Sequence, residues 1–334
     1  MADDLFNRFR KGPPGQPVPP TAPASPPAAS GKPESGLAYR SVLGGPQRVS
    51  EAEALAAIEK IPSMPLVVQK LLVKAGNTAG ATSDLESLIS QDMALAGRLL
   101  KLVNSPFYNL PQPVSSIAQA VAVVGLASLK SLAVAASTSA LLDTDLSAYG
   151  FQAKGLWTNS IATAGLARAV ALRNGAGKDA AEEYFVAGLL RDVGMLVLGP
   201  FLTERKVTLR KLTEVKSVSD LDILRRERDI LGIDHAWAGE RVAQRWTLPD
   251  DLRLVITHHH RIPQTASPTV LKTLASVRLA ERLIYSAGIG VLKDHPFETS
   301  IDAVLLHASG LSTGKLEELV KELPAIVKAS EQGL

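Results

Sequence analysis

The 334-residue chain has room for two compact modules, and its 46% hydrophobic but only 4% aromatic content points to the Ala, Leu and Val packing of helices. It has no cysteine, which excludes disulfides, thiolate nucleophiles and Cys-ligated zinc or iron–sulfur sites and fits a reducing cytoplasm. The net charge of +3 arises in the first 50 residues, with six Lys/Arg against three Asp/Glu; residues 51–334 hold 30 of each, which weighs against nucleic-acid binding.

Residues 1–50 contain ten of the 21 prolines, in runs such as Pro13-Pro14 and Pro19-Pro20 mixed with Ala, Ser and Gly. Such a segment buries too little apolar surface to offset its ordering entropy, so a disordered tail is expected, above all over residues 11–47. Its start, Met1-Ala2-Asp3-Asp4, lacks a basic-then-apolar leader and points away from secretion. Leu5, Phe6 and Phe9, interleaved with Arg8, Arg10 and Lys11, make a short amphipathic peptide that could dock in a partner's groove or on the folded body; a frayed terminus is the plainer alternative.

From Ser50 onward apolar residues return at three and four, the helical spacing. Val68, Leu71, Leu72 and Ala75 form one face after Pro65, which suits a first helical turn, and Ser83 to Glu86 has the spacing of a capping box. Ala96, Leu99, Leu100 and Val103 form the next face, which stops at Asn104-Ser105-Pro106 because proline cannot continue a helix. A loop runs to Pro113, Ser115 opens another helix, and Gly125 separates it from a longer one through Leu126, Leu129, Leu132 and Val134. The uncharged run between Lys101 and Lys130 contains too many Pro and Asn residues to be one membrane helix. Asp143, Asp145, Ser147 and Gly150 then interrupt the periodicity, placing a boundary near residue 148 between two helical subdomains, 51–148 and 149–334. Residues 203–231 read as a charge-rich bundle edge, Asp234 as the N-cap of a helix whose Gly239, Val242, Ala243 and Trp246 share a face, and 269–286 and 311–330 as amphipathic helices. No segment has strand periodicity, so the expected fold class is all-α.

Gly188-Leu189-Leu190-Arg191-Asp192-Val193-Gly194 reads as an apolar helix interrupted by a charged pair, which is costly unless something compensates it. The segment resembles the Gly-Leu-Leu-His-Asp-hydrophobic-Gly motif of HD-superfamily metal-dependent phosphohydrolases, with Arg191 where their metal-ligating histidine stands. A more specific likeness runs through Ile61-Pro62-Ser63-Met64-Pro65, Ile89-Ser90-Gln91-Asp92, Leu102-Val103-Asn104-Ser105, Ser116-Ile117, Val124-Gly125-Leu126, Leu156-Trp157-Thr158-Asn159-Ser160, Leu231-Gly232-Ile233-Asp234-His235 and Trp246-Thr247-Leu248-Pro249. Over roughly residues 55–260 the chain thereby resembles the HDOD domain, a family related to HD hydrolases that generally lacks their full ligand set. The resemblance implies an N-terminal helical bundle packed on a degenerate HD-type helical domain.

It also implies that Asn159, Arg191, Asp192 and Glu281 stand where HD hydrolases hold metal, Glu281 within Leu279-Ala280-Glu281-Arg282. A guanidinium has five donors and no lone pair and cannot ligate a cation, and two carboxylates plus an amide make a poor metal site. No catalytic residue, metal or cofactor is therefore expected. Two readings of Arg191 stand open: it occupies the place of the metal and satisfies the carboxylates by bidentate hydrogen bonds, or it is a solvated helix-surface residue beside Asp192. His258, His259 and His260 are adjacent, and consecutive helical side chains point about 100° apart, so at most one or two face a common pocket. His235 and His259 are candidates for lining the remnant site, with capping and packing as the plainer reading. His295 and His307 show no interpretable spacing.

The resemblance implies a non-catalytic signal-transduction or scaffolding protein of a bacterial-type cytoplasm, without membrane insertion. Its partners would be other signalling proteins, such as response regulators or components of cyclic-dinucleotide pathways. Candidate partner contacts are Leu5, Phe6 and Phe9 in the tail and Asn104, Ser105, Phe107 and Tyr108 in the loop between helices. Two alternatives remain: a residual metal-dependent phosphohydrolase acting on a nucleotide, and a nucleotide or nucleic-acid binder in which Arg191 holds a phosphate. No P-loop, Gly-x-Gly-x-x-Gly or Gly-x-Ser-x-Gly motif is present, and the oligomeric state stays open.

Overall fold

A computed structural model describes residues 48–73, 87, 89–90, 92–105, 108, 110–206, 220–263, 265–289, 301 and 303–332, whose regular structure is all helical, with no strand among them. The tail with Leu5, Phe6 and Phe9, the capping-box sequence at 83–86, Phe107 and His295 lie outside the described residues.

The first half comprises α1 (Glu51–Lys60), α2 (Leu66–Val73), α3 (Met93–Val103), α4 (Ile117–Val124) and α5 (Leu126–Leu142). Ser50 caps α1 in a capping box: its hydroxyl accepts from Glu53 N at 3.2 Å while the Glu53 carboxylate accepts from Ser50 N at 2.7 Å. The cap of α4 is Ser116, one residue beyond the serine expected from the sequence, because Ser116 Oγ accepts from Gln119 N. Gly125 lies at φ +86°, a conformation that favours glycine and turns the chain from α4 directly into α5.

After a 3₁₀ turn at Ser147–Tyr149, the second half comprises α6 (Gly155–Arg173), α7 (Lys178–Leu190), α8 (Met195–Glu204), α9 (Asp220–Leu231), α10 (His235–Arg245), α11 (Asp250–His258), α12 (Pro268–Ser286), α13 (Ala303–Ser309) and α14 (Thr313–Gln332). Helices α6 and α7 form the central hairpin, with α12 and α14 against α6 and α5 against α7. Asp234 caps α10 as the sequence implies, its Oδ1 accepting from Trp237 N at 2.7 Å. Glu182, carried inward on α7, is neutralised by Arg168 at 2.8 Å and accepts hydrogen bonds from Ser128 and Ser131.

Two apolar cores flank the α6–α7 hairpin. One gathers α1 to α5 with α8 and α10, and the other gathers α12, α13 and α14 around the opposite sides of α6 and α7. The first draws on both sides of residue 148, from Leu99 and Leu132 to Leu198 and Trp246, and Trp246 Nε1 donates to Pro62 O at 3.0 Å. The stretch Lys178–Glu204 is, among the described residues, the one helical run long and apolar enough to cross a membrane, yet 89% of its most apolar window is buried within the protein. It supplies the wall between the two cores.

Candidate functional site

Arg191 does not interrupt a helix; it ends one. Helix α7 stops at Leu190, residues 191–194 turn, and α8 begins at Met195, so the charged pair sits at a bend pointing into the protein. Gly194 makes the bend fit: a Cβ there would lie 1.9 Å from His235 O and 2.5 Å from Gly239 N, so the backbones of the bend and α10 touch directly. That close approach sets His235, the first residue of α10, beside Asp192.

The Arg191 side chain is 0% exposed, which overturns the surface reading. Its Nε donates to Glu281 Oε1 at 3.2 Å, Nη1 donates to Gly188 O at 2.9 Å, and Nη2 reaches Asp192 Oδ2 at 2.8 Å and donates to Asn159 Oδ1. All four positions that the resemblance singles out thus meet, brought from α6, the α7–α8 bend and α12. The Asn159 amide also donates through Nδ2 to Ile289 O, and Tyr285 Oη donates to the Glu281 oxygen that Arg191 uses. Burial works against charge on Arg191, but Asp192 and Glu281 more than offset it and hold the guanidinium above its ordinary pKa. Burial likewise opposes charge on Asp192, while Arg191, then His259 and His235, hold its carboxyl well below the usual carboxylate range.

A second half of the site begins at the other oxygen of Asp192. Oδ1 lies 3.2 Å from His259 Nε2 and 3.6 Å from His235 Nε2, and His235 Nε2 lies 2.9 Å from His260 Nε2 and 3.3 Å from His259 Nε2. Two of the three consecutive histidines therefore share the pocket, within the limit set by helix geometry, but His260 joins it only because α11 ends at His258 and the chain turns there, Arg261 N donating to His258 O. His258 is half-buried outside the cluster, and His307 is exposed on α13.

The outer nitrogens of two of these rings are anchored. His235 Nδ1 lies 2.8 Å from Glu227 Oε2, the same carboxylate accepts from His235 N at 2.9 Å, and Tyr149 Oη donates to Glu227 Oε1 at 2.6 Å. His259 Nδ1 donates to Ile256 O at 2.8 Å. Both rings are thereby turned so that Nε2 faces inward. Burial lowers the pKa of His235, but Glu227 and then Asp192 outweigh it and raise it to about 9. Burial and the neighbouring His259 and His235 push His260 well below its ordinary value. Neither oxygen of Asp192 makes a well-aligned hydrogen bond although both are buried, and Tyr149, like Arg191, is held with its pKa raised.

These residues fit one divalent ion. Asp192 Oδ1 and the Nε2 atoms of His235, His259 and His260 converge, within 4.8 Å of one another, and the outer nitrogens of His235 and His259 are held by a carboxylate and a backbone carbonyl, partners typical of metal-ligating histidines. Asp192 and the three histidines would hold such an ion, which would supply Lewis acidity and lower the pKa of bound water. All four side chains are at most 2% exposed.

Glu227, Tyr149, His260 and Tyr285 were not singled out by sequence reasoning. Tyr285 and Glu281, four residues apart on α12, and Glu227 and His235, eight apart, lie close enough in sequence for a pairing signal to exist. Among the described loop candidates, Asn104 is exposed, with its amide exchanging two 2.8 Å hydrogen bonds with the Val114 backbone, Ser105 is buried, and the Tyr108 ring lies under the Arg168 guanidinium.

The HDOD domain family matches residues 61–262 of the chain. An uncharacterized protein of Treponema pallidum (strain Nichols) is 31% identical over 227 residues, 68% of this chain and 42% of that protein, so the chain spans less than half of that relative's length. Among solved structures, an HDOD domain protein of unknown function from Geobacter sulfurreducens matches with a TM-score of 0.64 at 22% identity, over 85% of this chain and 99% of that one. A protein from Shewanella amazonensis SB2B, named provisionally as a phosphohydrolase, matches with a TM-score of 0.59 at 21% identity, over 85% of this chain and 98% of that one. At these identities the two structures establish a shared fold.

Proposed function

This chain belongs to the HDOD family, and on that premise we propose that it is a non-catalytic signalling module that acts through contacts with other proteins in the cytoplasm, its HD-type pocket serving as a structural node. The single observation that carries this reading is the buried guanidinium of Arg191 between Asp192, Glu281 and Asn159. A fixed cation there bonds to the groups that a hydrolytic metal would need, and it can neither be displaced by water nor activate one. An ion at the histidine cluster would be enclosed by four buried donors, a setting closer to a structural site than to a catalytic site with an open position.

The test is a hydrolysis assay of the purified 334-residue chain with Mn²⁺, Fe²⁺ or Zn²⁺ against a chromogenic phosphodiester and a panel of cyclic dinucleotides. The expected result is no turnover above that of metal and buffer alone. A second reading, a metal-dependent phosphohydrolase, is favoured by the convergence of Asp192, His235, His259 and His260. Turnover that Asp192→Ala abolishes would replace the first reading with the second.

A further inference from the structure

Away from this site, helices α5, α7, α11 and α12 enclose a groove of about 740 Å³. Its floor is apolar, formed by Leu126, Val186, Leu252, Val255 and Val270, and its volume is that of a site accepting several side chains. Its rim is acidic. Asp179, Glu183 and Asp251 are exposed along it, and among the described residues none of the three is paired with a cation.

Asp179 and Asp251 stand in the first turns of α7 and α11, where the helix dipole suits a carboxylate. Glu183 has no such explanation. Burial, and then the nearby Asp251, raise its pKa above the ordinary glutamate value, so the rim holds like charges that an added cation would relieve. Glu182 on the same wall shows the contrast, being buried and already satisfied by Arg168, Ser128 and Ser131.

We propose that this groove is the docking site of the chain's own N-terminal segment Leu5–Lys11, with Leu5, Phe6 and Phe9 on the apolar floor and Arg8, Arg10 and Lys11 against the acidic rim. The segment has three large apolar residues, three cations and no acid, the complement of the groove in both respects. Its tether is long enough. A chain as long as residues 12–47 can span at most roughly 120 Å, against a radius of gyration of about 19 Å for a globule of this size. The described chain starts at Arg48, and Val49 N is tied to Leu231 O at 2.7 Å, so the tether leaves from a fixed point on the body. Tethering also gives the segment an effective concentration in the millimolar range, so that even a weak peptide site is filled. The groove shares α7 and α11 with the site, since Arg191 follows the end of α7 and His259 the end of α11. An occupied groove thus clamps together the two helices that carry those residues.

The chain's lack of cysteine makes the test direct. The 334-residue chain carrying Asn7→Cys and Thr269→Cys, the latter exposed on the rim, is oxidised mildly at low concentration, and the intramolecular disulfide is quantified by mass spectrometry. The expected result is a cross-link several-fold more abundant than that of a control pair, Asn7→Cys with Thr313→Cys, and reduced roughly five- to tenfold by Glu183→Lys with Asp251→Lys or by Phe6→Ala with Phe9→Ala. Thermal melts establish that these variants remain folded. A yield equal to the control pair's, or one that neither double substitution changes, overturns the proposal. A disulfide that forms only between molecules assigns the groove to a second copy and overturns it as well.

Discussion

Arg191 and Glu281, 90 residues apart in sequence, meet in the interior with Nε 3.2 Å from Oε1 and neither side chain exposed. Such a pair is costly to break from one side, because the remaining charge is stranded without water. Arg191→Ala strands Asp192 as well and is expected to cost about 3–5 kcal/mol, read from urea denaturation. A loss within about 0.5 kcal/mol, the range for surface substitutions, would contradict the burial. Arg191→Lys is expected to fall between the two, because one ammonium has three donors and cannot reach Gly188, Asn159, Asp192 and Glu281 together.

Restoring imidazoles tests whether Arg191 stands in a metal's place. Asn159→His with Arg191→His puts two lone pairs beside Asp192 and Glu281, and isothermal titration is expected to show a divalent-ion site that the unmutated chain lacks at that position. No gain in bound ion would mean that the pocket's shape depends on the arginine.

The histidine cluster is expected to take up one equivalent of Co²⁺ or Zn²⁺ per chain. Glu227 lies behind His235 and would not touch the ion, yet Glu227→Gln is expected to weaken binding by about 10–100-fold through loss of the ring's orientation. Titration of both proteins checks this; equal affinities would remove Glu227 from the site.

Two glycines give opposite outcomes for the same added methyl. Gly194→Ala drives a Cβ into the backbone of His235 and Gly239, and a loss at or beyond the upper end of the about 1–3 kcal/mol typical of overpacking is expected in chemical denaturation. Gly97→Ala, on an exposed helical position of α3 with nothing within 4 Å, is expected to stabilise by about 0.5–1 kcal/mol.

The helices and several of their ends were legible in the sequence, because periodicity, capping side chains and proline act within a few residues. Asp234 capping α10 and Gly125 between α4 and α5 are examples. The convergence of Asn159, Arg191, Asp192 and Glu281 was legible only through family resemblance, since nothing local ties α6 to α12. His260 was passed over for a physical reason: the 100° rule assumes that the helix continues, and here it ends two residues earlier.

The sequence by itself determined an all-helical chain, because that follows from residue type and local spacing, and its resemblance to HD hydrolases placed a permanently charged residue where those proteins hold a metal-binding imidazole. Whether that charge met water or carboxylates was decided only by tertiary packing. The backbone of the α7–α8 bend had to lie against α10 at Gly194, and α6 and α12 had to bring Asn159 and Glu281 to the same point, before Arg191 could lose its hydration and be repaid by partners. Desolvation depends on what surrounds a group from every side, and that is a property of the assembled fold rather than of any one segment.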